Sequence, residues 1–170
     1  MIVIVMGVTG TGKTTIGRGL SERTGWQFAE GDDYHSEANK QKMHAGIPLT
    51  DEDRGPWLAA LHELLDGWFQ RRESGILACS ALKQSYRETL IAGIPHDAYR
   101  FVMLQVSREH IAERLAHRID HYMNPALLDS QFATLEAPSD ALVVSDEGTP
   151  EETIGLILKG LGNEKSSEKV

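Results

Sequence analysis

The amino-terminal segment constrains the fold of this chain more than any other feature. An apolar run over residues 2–6 leads directly into Gly7-Val-Thr-Gly-Thr-Gly-Lys-Thr-Thr15, which satisfies the pattern G-x-x-x-x-G-K-S/T. A segment of helical period follows over about residues 13–24 and stops at Gly25. A strand, a glycine-rich turn and a helix in this order predict a loop that binds phosphate groups.

Short apolar runs recur along the rest of the chain and alternate with segments of helical period. They lie near residues 76–80, 101–106 and 141–145, and residues 26–29 form a further, weaker candidate for a strand. Strands that are apolar along their whole length are buried on both faces, so helices must cover both sides of a mostly parallel sheet. The pattern therefore predicts an α/β fold with a five-stranded parallel sheet and helices on both faces.

Two further helices have readable boundaries. A long helix is expected to begin near Pro56, because proline suits the first helical position, and its apolar face runs from Trp57 to Phe69. The last helix is expected to begin after Thr149, where a capping residue, a first-turn proline and Glu152 follow in order. Both helices are interpreted as parts of the scaffold.

The size and charge of the chain narrow the class of protein. Its 170 residues, 41% of them hydrophobic, predict one domain over residues 1–162 and a polar tail over 163–170. A formal charge of -8 argues against a nucleic-acid partner, which usually requires a basic surface. Cys79 is the single cysteine, and the sequence contains neither a signal peptide nor an apolar run of the roughly 20 residues that span a bilayer. These features predict a cytoplasmic protein without a membrane partner.

The residue types of the loop suit the binding of a nucleotide. Glycines let successive backbone N–H groups face a phosphate, Lys13 reaches the β- and γ-phosphates of ATP, and the Thr14 hydroxyl is placed to hold Mg²⁺. A glycine-rich turn without a ligand is the alternative, but a chance match between a strand and a helix is uncommon. The residues expected to bind the nucleotide are Gly7, Thr9, Gly10, Thr11, Gly12, Lys13, Thr14 and Thr15.

The remaining motifs favour phosphoryl transfer to a small molecule. The chain lacks the base-reading motif of GTPases, and the run over residues 76–80 lacks the final aspartate that mechanical ATPases use for Mg²⁺. Carboxylates follow the second strand instead: Asp32 is predicted to act as the general base and Glu30 to hold Mg²⁺ through water, if the chain stays extended there. Capping of a helix near Ser36 is the alternative role, and it suits Asp33 better.

Three longer motifs are similar to those of the gluconokinase family. They are Glu30-Gly-Asp-Asp-Tyr-His35, Asp53-Arg-Gly-Pro-Trp-Leu58 and Cys79-Ser-Ala-Leu-Lys83, and the resemblance extends in order over nearly the whole chain. It implies ATP-dependent phosphorylation of D-gluconate at the 6-hydroxyl, with Mg²⁺, in a P-loop fold of the nucleoside-monophosphate-kinase and shikimate-kinase type. The strand order 2-3-1-4-5 and a homodimer are further implications of the resemblance.

The resemblance also indicates candidate residues for the acceptor. A polyhydroxylated acid needs cations for its carboxylate, and Arg54, Lys83 and Arg87 each follow the end of an element that faces the expected cleft. Ordinary solvated surface is the alternative for each of these cations. His35 and Gln131 are interpreted either as partners of a substrate hydroxyl or as residues of local structure, such as a helix cap.

Residues 114–132 resemble the helical lid of such kinases. Arg118 is predicted to reach the transferring phosphoryl group and Arg114 to contact adenine, whereas charged helix surface is the alternative for both. Two positions depart from the family pattern. Ser36 stands where proline usually follows histidine, and Asp120 adds a negative charge to the lid.

Two other functions stay open at the level of the sequence. A kinase with another anionic acceptor, such as shikimate or a nucleoside monophosphate, would share the phosphate loop, but the motifs around Arg54 and Lys83 count against it. A nucleotide-dependent regulator without catalysis would share the loop as well. The carboxylates that follow the second strand make this the weaker interpretation.

Overall fold

One parallel sheet of five strands organises the computed structural model, which describes residues 1–116, 125–145 and 148–167. The strands are β1 Ile2–Met6, β2 Gln27–Glu30, β3 Gly75–Ala78, β4 Tyr99–Gln105 and β5 Leu142–Ser145. Their order across the sheet is β2-β3-β1-β4-β5, as the family resemblance implied. Each strand also begins and ends close to its predicted boundaries.

Helices connect the strands within the described ranges. They are α1 Lys13–Thr24, α2 Glu37–His44, α3 Asp51–Gln70, α4 Gln84–Leu90, α5 Arg108–Ala116, α6 Pro125–Thr134 and α7 Pro150–Ser167, with 3-10 helices at Gly31–Tyr34 and His96–Ala98. The last helix, α7, continues to Ser167, beyond residue 163, where a polar tail was predicted to begin. Of the helices in these ranges, none is both long and apolar enough to cross a bilayer.

The central strand β1 lies between β3 and β4, and all of its side chains are buried. Alternate residues of β1 belong to two separate cores. On one face of the sheet they join Leu61 and Leu65 of α3. On the other face they join Ile16 of α1 and Ile157 of α7. The prediction of a parallel sheet covered by helices on both faces is therefore confirmed.

The end of α1 and the start of α7 lie where the sequence predicts them. The chain leaves α1 at Gly25, whose φ of 72° is left-handed and whose N–H donates to the Ser21 carbonyl at 2.8 Å. At the start of α7, the Thr149 N–H donates to the Glu152 carboxylate at 2.8 Å, and the Glu152 N–H donates to the Thr149 hydroxyl at 3.3 Å. This reciprocal pair is the predicted capping box.

The long helix α3 begins earlier than predicted. Its first residue is Asp51, so the predicted start near Pro56 was wrong and the proline lies inside the helix. The cause is a second capping box, in which the Thr50 hydroxyl accepts from the Asp53 N–H at 3.1 Å and the Asp53 carboxylate accepts from the Thr50 N–H at 3.0 Å. These bonds stabilise an additional turn of helix ahead of the proline.

Substitution of Gly75 tests the packing of α3 against the sheet. A Cβ at this position would lie 2.3 Å from the ring of Trp68, which is itself buried. We expect Gly75→Ala to lower the free energy of unfolding by about 1–3 kcal/mol, because the added methyl group would collide with the buried ring. Urea unfolding followed by tryptophan fluorescence measures the change.

Gly155→Ala in α7 is the matched control for this substitution. Its added Cβ would meet nothing within 4 Å, and alanine is the better helix former, so we expect a gain of roughly 0.5–1 kcal/mol. Equal stability of the Gly75 and Gly155 variants would contradict the packing account.

Candidate active site

The carboxyl ends of three parallel strands bring the predicted site residues to one edge of the sheet. β1 leads into the phosphate loop of residues 7–15, β2 into the 3-10 helix Gly31–Tyr34, and β3 into the loop of residues 79–83. In open α/β sheets this edge is where ligands bind. Most of the residues predicted to bind ATP lie on the first of these segments, and Asp32 and Lys83 lie on the other two.

Close backbone contacts join the three segments. The Gly7 N–H donates to the Ser80 carbonyl at 3.4 Å. A Cβ on Gly31 would lie 2.7 Å from the Ala78 carbonyl oxygen, so only glycine fits this crossing. Cys79 is buried beside it, and burial raises the pKa of its thiol to about 12, which keeps the thiol protonated.

The phosphate loop has the curled backbone that its glycines permit. Positive φ angles of 145°, 80° and 89° occur at Gly7, Gly10 and Gly12. Within the loop, the Val8 carbonyl accepts hydrogen bonds from the Thr11 hydroxyl and from the Lys13 ammonium, both at 2.9 Å. The Lys13 side chain therefore folds back over the backbone of the loop. Thr14 and Thr15 follow in the first turn of α1.

The structure brings together the two residues predicted to hold Mg²⁺. The Thr14 hydroxyl donates to a Glu30 carboxylate oxygen at 2.6 Å. Burial raises the pKa of Glu30, the negative charges of Asp32 and Asp33 raise it further, and the Thr14 hydrogen bond and the Lys13 charge oppose them. Two oxygen donors of a type that suits Mg²⁺ thus lie beside the phosphate loop.

The carboxylates after β2 do not lie on an extended chain. A 3-10 helix begins at Gly31, so the chain does not stay extended there, which was the condition for the predicted roles of Glu30 and Asp32. Close packing of Gly31 on β3 turns the backbone at this point. Both Asp32 and Asp33 are exposed, and α2 is capped by Ser36, which accepts from the Asn39 N–H, rather than by Asp33.

His35 is buried at the end of this 3-10 helix. Its ring stacks on Trp57 with centroids 4.4 Å apart, and the Trp57 indole N–H donates to the Gly31 carbonyl at 2.8 Å. Burial lowers the pKa of His35. The negative charge of Asp32 raises this pKa, and the positive charge of Arg54 lowers it. Its Nδ1 has no hydrogen-bond partner among the described residues. The lowered pKa favours the neutral imidazole, and Asp32 and Arg54 are both close enough for their charges to affect it.

Two of the predicted acceptor cations meet in one group of residues. Lys83 Nζ donates to both carboxylate oxygens of Asp51, at 2.9 and 3.0 Å, and the Tyr86 hydroxyl donates to the same carboxylate. The Arg54 guanidinium lies 4.0 Å from Asp51. It also lies 5.6 Å from the centroid of the Tyr86 ring, and Lys83 lies 5.3 Å from it. We call Asp51, Arg54, Lys83 and Tyr86 the acceptor cluster.

Sequence reasoning identified the two cations of the acceptor cluster but gave no role to Asp51 or Tyr86. Asp51 was overlooked because the predicted helix began after it, and an acid in the first turn of a helix ordinarily has a structural explanation. Tyr86 lies in α4, one turn after Lys83, and both cations of the acceptor cluster lie within 5.6 Å of the centroid of its ring. The position of Tyr86, one helical turn after the candidate cation Lys83, is the sequence signal that could have identified it.

Arg87, the third predicted acceptor cation, is turned into the protein. Its guanidinium donates to the carbonyls of Ala81 and Leu82 at 3.0 and 3.2 Å, and burial lowers its pKa. Ala81 has a φ of 43°, an unusual conformation for a residue with a side chain. In this structure Arg87 therefore stabilises the strained loop that carries Lys83.

The flanks of the predicted lid contact the phosphate loop. The Thr9 N–H donates to the side-chain oxygen of Gln131 in α6 at 2.7 Å, and Arg114 of α5 lies 3.5 Å from the Thr11 carbonyl. Arg108 and Asp129 form an ion pair between α5 and α6. The side-chain oxygen of Gln131, predicted to face the acceptor, thus bonds to the nucleotide side of the site.

Two predicted lid positions, Arg118 and Asp120, lie outside the described residues. The contacts of Arg114 and Gln131 join α5 and α6 to the phosphate loop. Among the residues that the structure describes, no group of three or more histidine, cysteine or acidic side chains has the arrangement of a metal site. Beside phosphates, Mg²⁺ commonly binds through one or two carboxylates and keeps several water ligands.

The fold and the site together define a class of protein. A phosphate loop leads into α1, the oxygens of Thr14 and Glu30 lie beside it, and a group of cations faces the same edge of the sheet. This combination is that of a small P-loop kinase, in which an acceptor binds next to the γ-phosphate of ATP.

Comparison with known proteins narrows this class to a family. A family model described as an AAA domain matches residues 2–138. The gluconokinase of Gluconobacter oxydans (strain 621H) is 45% identical over 161 residues, which cover 92% of this chain and 89% of that protein. The thermosensitive gluconokinase of Escherichia coli (strain K12) is 44% identical over 135 residues, which cover 79% and 71%. The chain carries an AAA domain and belongs to the gluconokinase family.

Solved structures agree with this assignment. A gluconokinase from Sinorhizobium meliloti 1021 has a TM-score of 0.88 and 40% sequence identity, over 97% of this chain and 93% of that one. The shikimate kinase from Aquifex aeolicus vf5 has a TM-score of 0.60 at 18% identity, over 97% of this chain and 98% of that one, and is therefore alike in fold alone. The predicted P-loop kinase fold is confirmed.

The bond between Gln131 and Thr9 generates a prediction about the phosphate loop. Gln131→Ala removes the acceptor of the Thr9 N–H, and a hydrogen bond of this kind contributes about 1 kcal/mol. We expect the Thr9 amide to exchange with solvent about fivefold faster, as measured by NMR hydrogen exchange. Ser130→Ala, at the exposed neighbouring position of α6, is the control. Unchanged exchange at Thr9 in the Gln131 variant would contradict the described contact.

Proposed function

We propose that this protein transfers the γ-phosphoryl group of ATP to the 6-hydroxyl of D-gluconate and releases ADP and 6-phosphogluconate. The observation that carries the proposal is the acceptor cluster, in which Lys83 and Tyr86 donate to one carboxylate while Arg54 lies beside it. Such a cluster suits the carboxylate of a sugar acid. The names of the family members supply the identity of that acid.

The phosphate loop is the proposed site of the β- and γ-phosphates of ATP. Its curled backbone turns N–H groups towards a bound anion at the positive end of α1. Phosphate oxygens are stronger acceptors than the Val8 carbonyl, so we expect the Lys13 ammonium to turn towards them. Arg114, whose guanidinium donates to the Thr11 carbonyl at 3.5 Å, is the proposed contact for the adenine of ATP.

The Thr14 hydroxyl and the Glu30 carboxylate would hold Mg²⁺. Both are hard oxygen donors, and they are 2.6 Å apart. When bound, the metal offsets the negative charge of the phosphates during transfer. A cation at this position would also favour the ionised form of Glu30, against the effect of burial on its pKa.

Asp32 is the proposed general base. It is exposed at the start of the 3-10 helix, and its charge acts on both Glu30 and His35. As the bond between the 6-oxygen of gluconate and the γ-phosphorus forms and the bond to the ADP oxygen breaks, the hydroxyl proton passes to the Asp32 carboxylate. Neutral His35 is proposed to hydrogen-bond a substrate hydroxyl.

The remaining acceptor and lid residues take supporting roles in the proposal. Arg54 and Lys83 bind the carboxylate of gluconate, and Arg87 holds the loop on which Lys83 lies. Contact of Gln131 and Arg87 with the substrate itself, and contact of Arg118 with the transferring phosphoryl group, stay predictions. The cytoplasmic location, the homodimer and the absence of nucleic-acid and membrane partners also stay predictions.

Replacing Asp32 tests the proposed base. We expect Asp32→Asn to lower kcat with gluconate by about 10²- to 10⁴-fold, because an amide cannot accept the hydroxyl proton, while ATP binding is retained. ADP release measures the rate, and titration with ATP measures the binding. Asp33→Asn is the control, since Asp33 is the exposed neighbour in the same 3-10 helix. Unchanged turnover in the Asp32 variant would exclude this residue as the base.

Replacing Lys13 tests the nucleotide site. Lys13→Ala is expected to abolish phosphoryl transfer to gluconate, because no other group of the loop carries its charge to the phosphates. Circular dichroism and thermal unfolding should show that the fold is intact. A variant that retains full activity would refute the assignment of the phosphate loop.

A further inference from the structure

One carboxylate already occupies the acceptor cluster. Asp51 accepts from Lys83 at both oxygens, and the oxygen that binds the Tyr86 hydroxyl also faces Arg54 at 4.0 Å. The hydrogen bonds from Tyr86 and Lys83 lower the pKa of the Asp51 carboxyl, so that it is ionised at neutral pH. The carboxylate of an acid substrate would also require hydrogen-bond donors at both of its oxygens.

The cluster cannot serve two carboxylates equally. The Tyr86 hydroxyl has one proton to donate, and Asp51 already accepts it. Asp51 is the carboxylate that pairs with both cations of the cluster, and a second carboxylate in the same place would be repelled by its charge. A substrate carboxylate that binds Lys83 and Tyr86 must therefore displace Asp51.

The fold does not require Asp51 to stay in the cluster. Its side chain is 65% exposed, compared with 32% for Lys83 and 28% for Arg54. The start of α3 is capped by Thr50 and Asp53 instead. A rotation of the Asp51 side chain into solvent would leave these capping bonds intact.

We propose that Asp51 is a placeholder for the substrate carboxylate. In the absence of substrate it keeps Lys83 and Tyr86 together, and it leaves when the carboxylate of the acid takes its place. The affinity for the acid is therefore reduced by the competition with Asp51. This inference rests on the proposed function, because it takes Lys83 as the partner of the acid.

Binding measurements on three variants test the inference. Isothermal titration with D-gluconate, in the presence of Mg²⁺ and a non-hydrolysable ATP analogue, compares the full chain with Asp51→Asn, Asp51→Glu and Glu52→Gln. Glu52 is the matched control, since it is exposed and lies in the same first turn of α3. D-Glucitol, which lacks the carboxylate, is titrated in parallel.

The expected result is specific to position 51 and to the carboxylate. Asp51→Asn should lower the Kd for gluconate by about three- to tenfold, since a charge-assisted contact with Lys83 no longer competes. Asp51→Glu keeps a competing carboxylate and should not lower the Kd. Glu52→Gln removes the same charge from the same turn and should leave the Kd within about twofold. The Kd for glucitol should not fall in any variant.

Two results would overturn the inference. A higher Kd for gluconate in Asp51→Asn would mean that Asp51 supports the bound substrate rather than competing with it. An equal fall in Kd in Asp51→Asn and Glu52→Gln would mean that only the overall charge matters.

Failure of the proposed function would look different. The same titrations are made with shikimate and glycerate, so a protein that ignores gluconate can still bind another acid. If that other acid binds more tightly to Asp51→Asn, the placeholder stands and gluconate is the wrong substrate. If none of the three acids binds more tightly to Asp51→Asn, the placeholder is refuted.

Discussion

The parallel pairing of β1 with β3 and β4 is the constraint on which the rest of the structure depends. It buries β1 on both faces and brings the carboxyl ends of β1, β2 and β3 to one edge of the sheet. The phosphate loop, the carboxylates after β2 and the loop of Lys83 meet there, although they lie far apart in the sequence. Gly31 permits the close approach of the segment after β2 to β3, because a side chain at this position would collide with the carbonyl of Ala78. The site thus has a nucleotide side and an acceptor side: the charge of Lys13 acts on Glu30, and the charge of Arg54 acts on His35.

Much of this fold could be predicted from the sequence, for physical reasons. The central strands β1, β3 and β4 are buried over most of their length on both faces, so they were readable as continuous apolar runs. The edge strands β2 and β5 are partly exposed. The phosphate loop and the start of α7 depend on local backbone bonds, which short motifs specify. The start of α3 was misread because Pro56 suggested a helix beginning, whereas Thr50 and Asp53 form the cap. The 3-10 helix at Gly31 was missed because it depends on a contact with β3, which no local pattern records.

The site itself could be predicted only in part, because its side-chain contacts join distant residues. The sequence indicated Thr14, Glu30, Arg54 and Lys83, and the structure brings them together in two pairs of near neighbours. The sequence offered no means of finding that the Gln131 side chain accepts a hydrogen bond from the Thr9 N–H. Nor did it indicate that Arg87 turns inward to hold the loop of Ala81. The role of Asp51 was hidden for the same reason: an acid that binds Lys83 across the cleft has the same local sequence as one that only begins a helix.

The central claim is that the acceptor is a sugar acid and that its 6-hydroxyl receives the phosphoryl group. The most direct measurement is ADP release by the purified protein with Mg-ATP and, in turn, D-gluconate, shikimate, glycerate, AMP and no acceptor, with the product identified by mass and its phosphate position by NMR. The account predicts ADP release that depends on gluconate, with 6-phosphogluconate as the product. Turnover with another acceptor but not with gluconate, or ATP binding without any turnover, would contradict it.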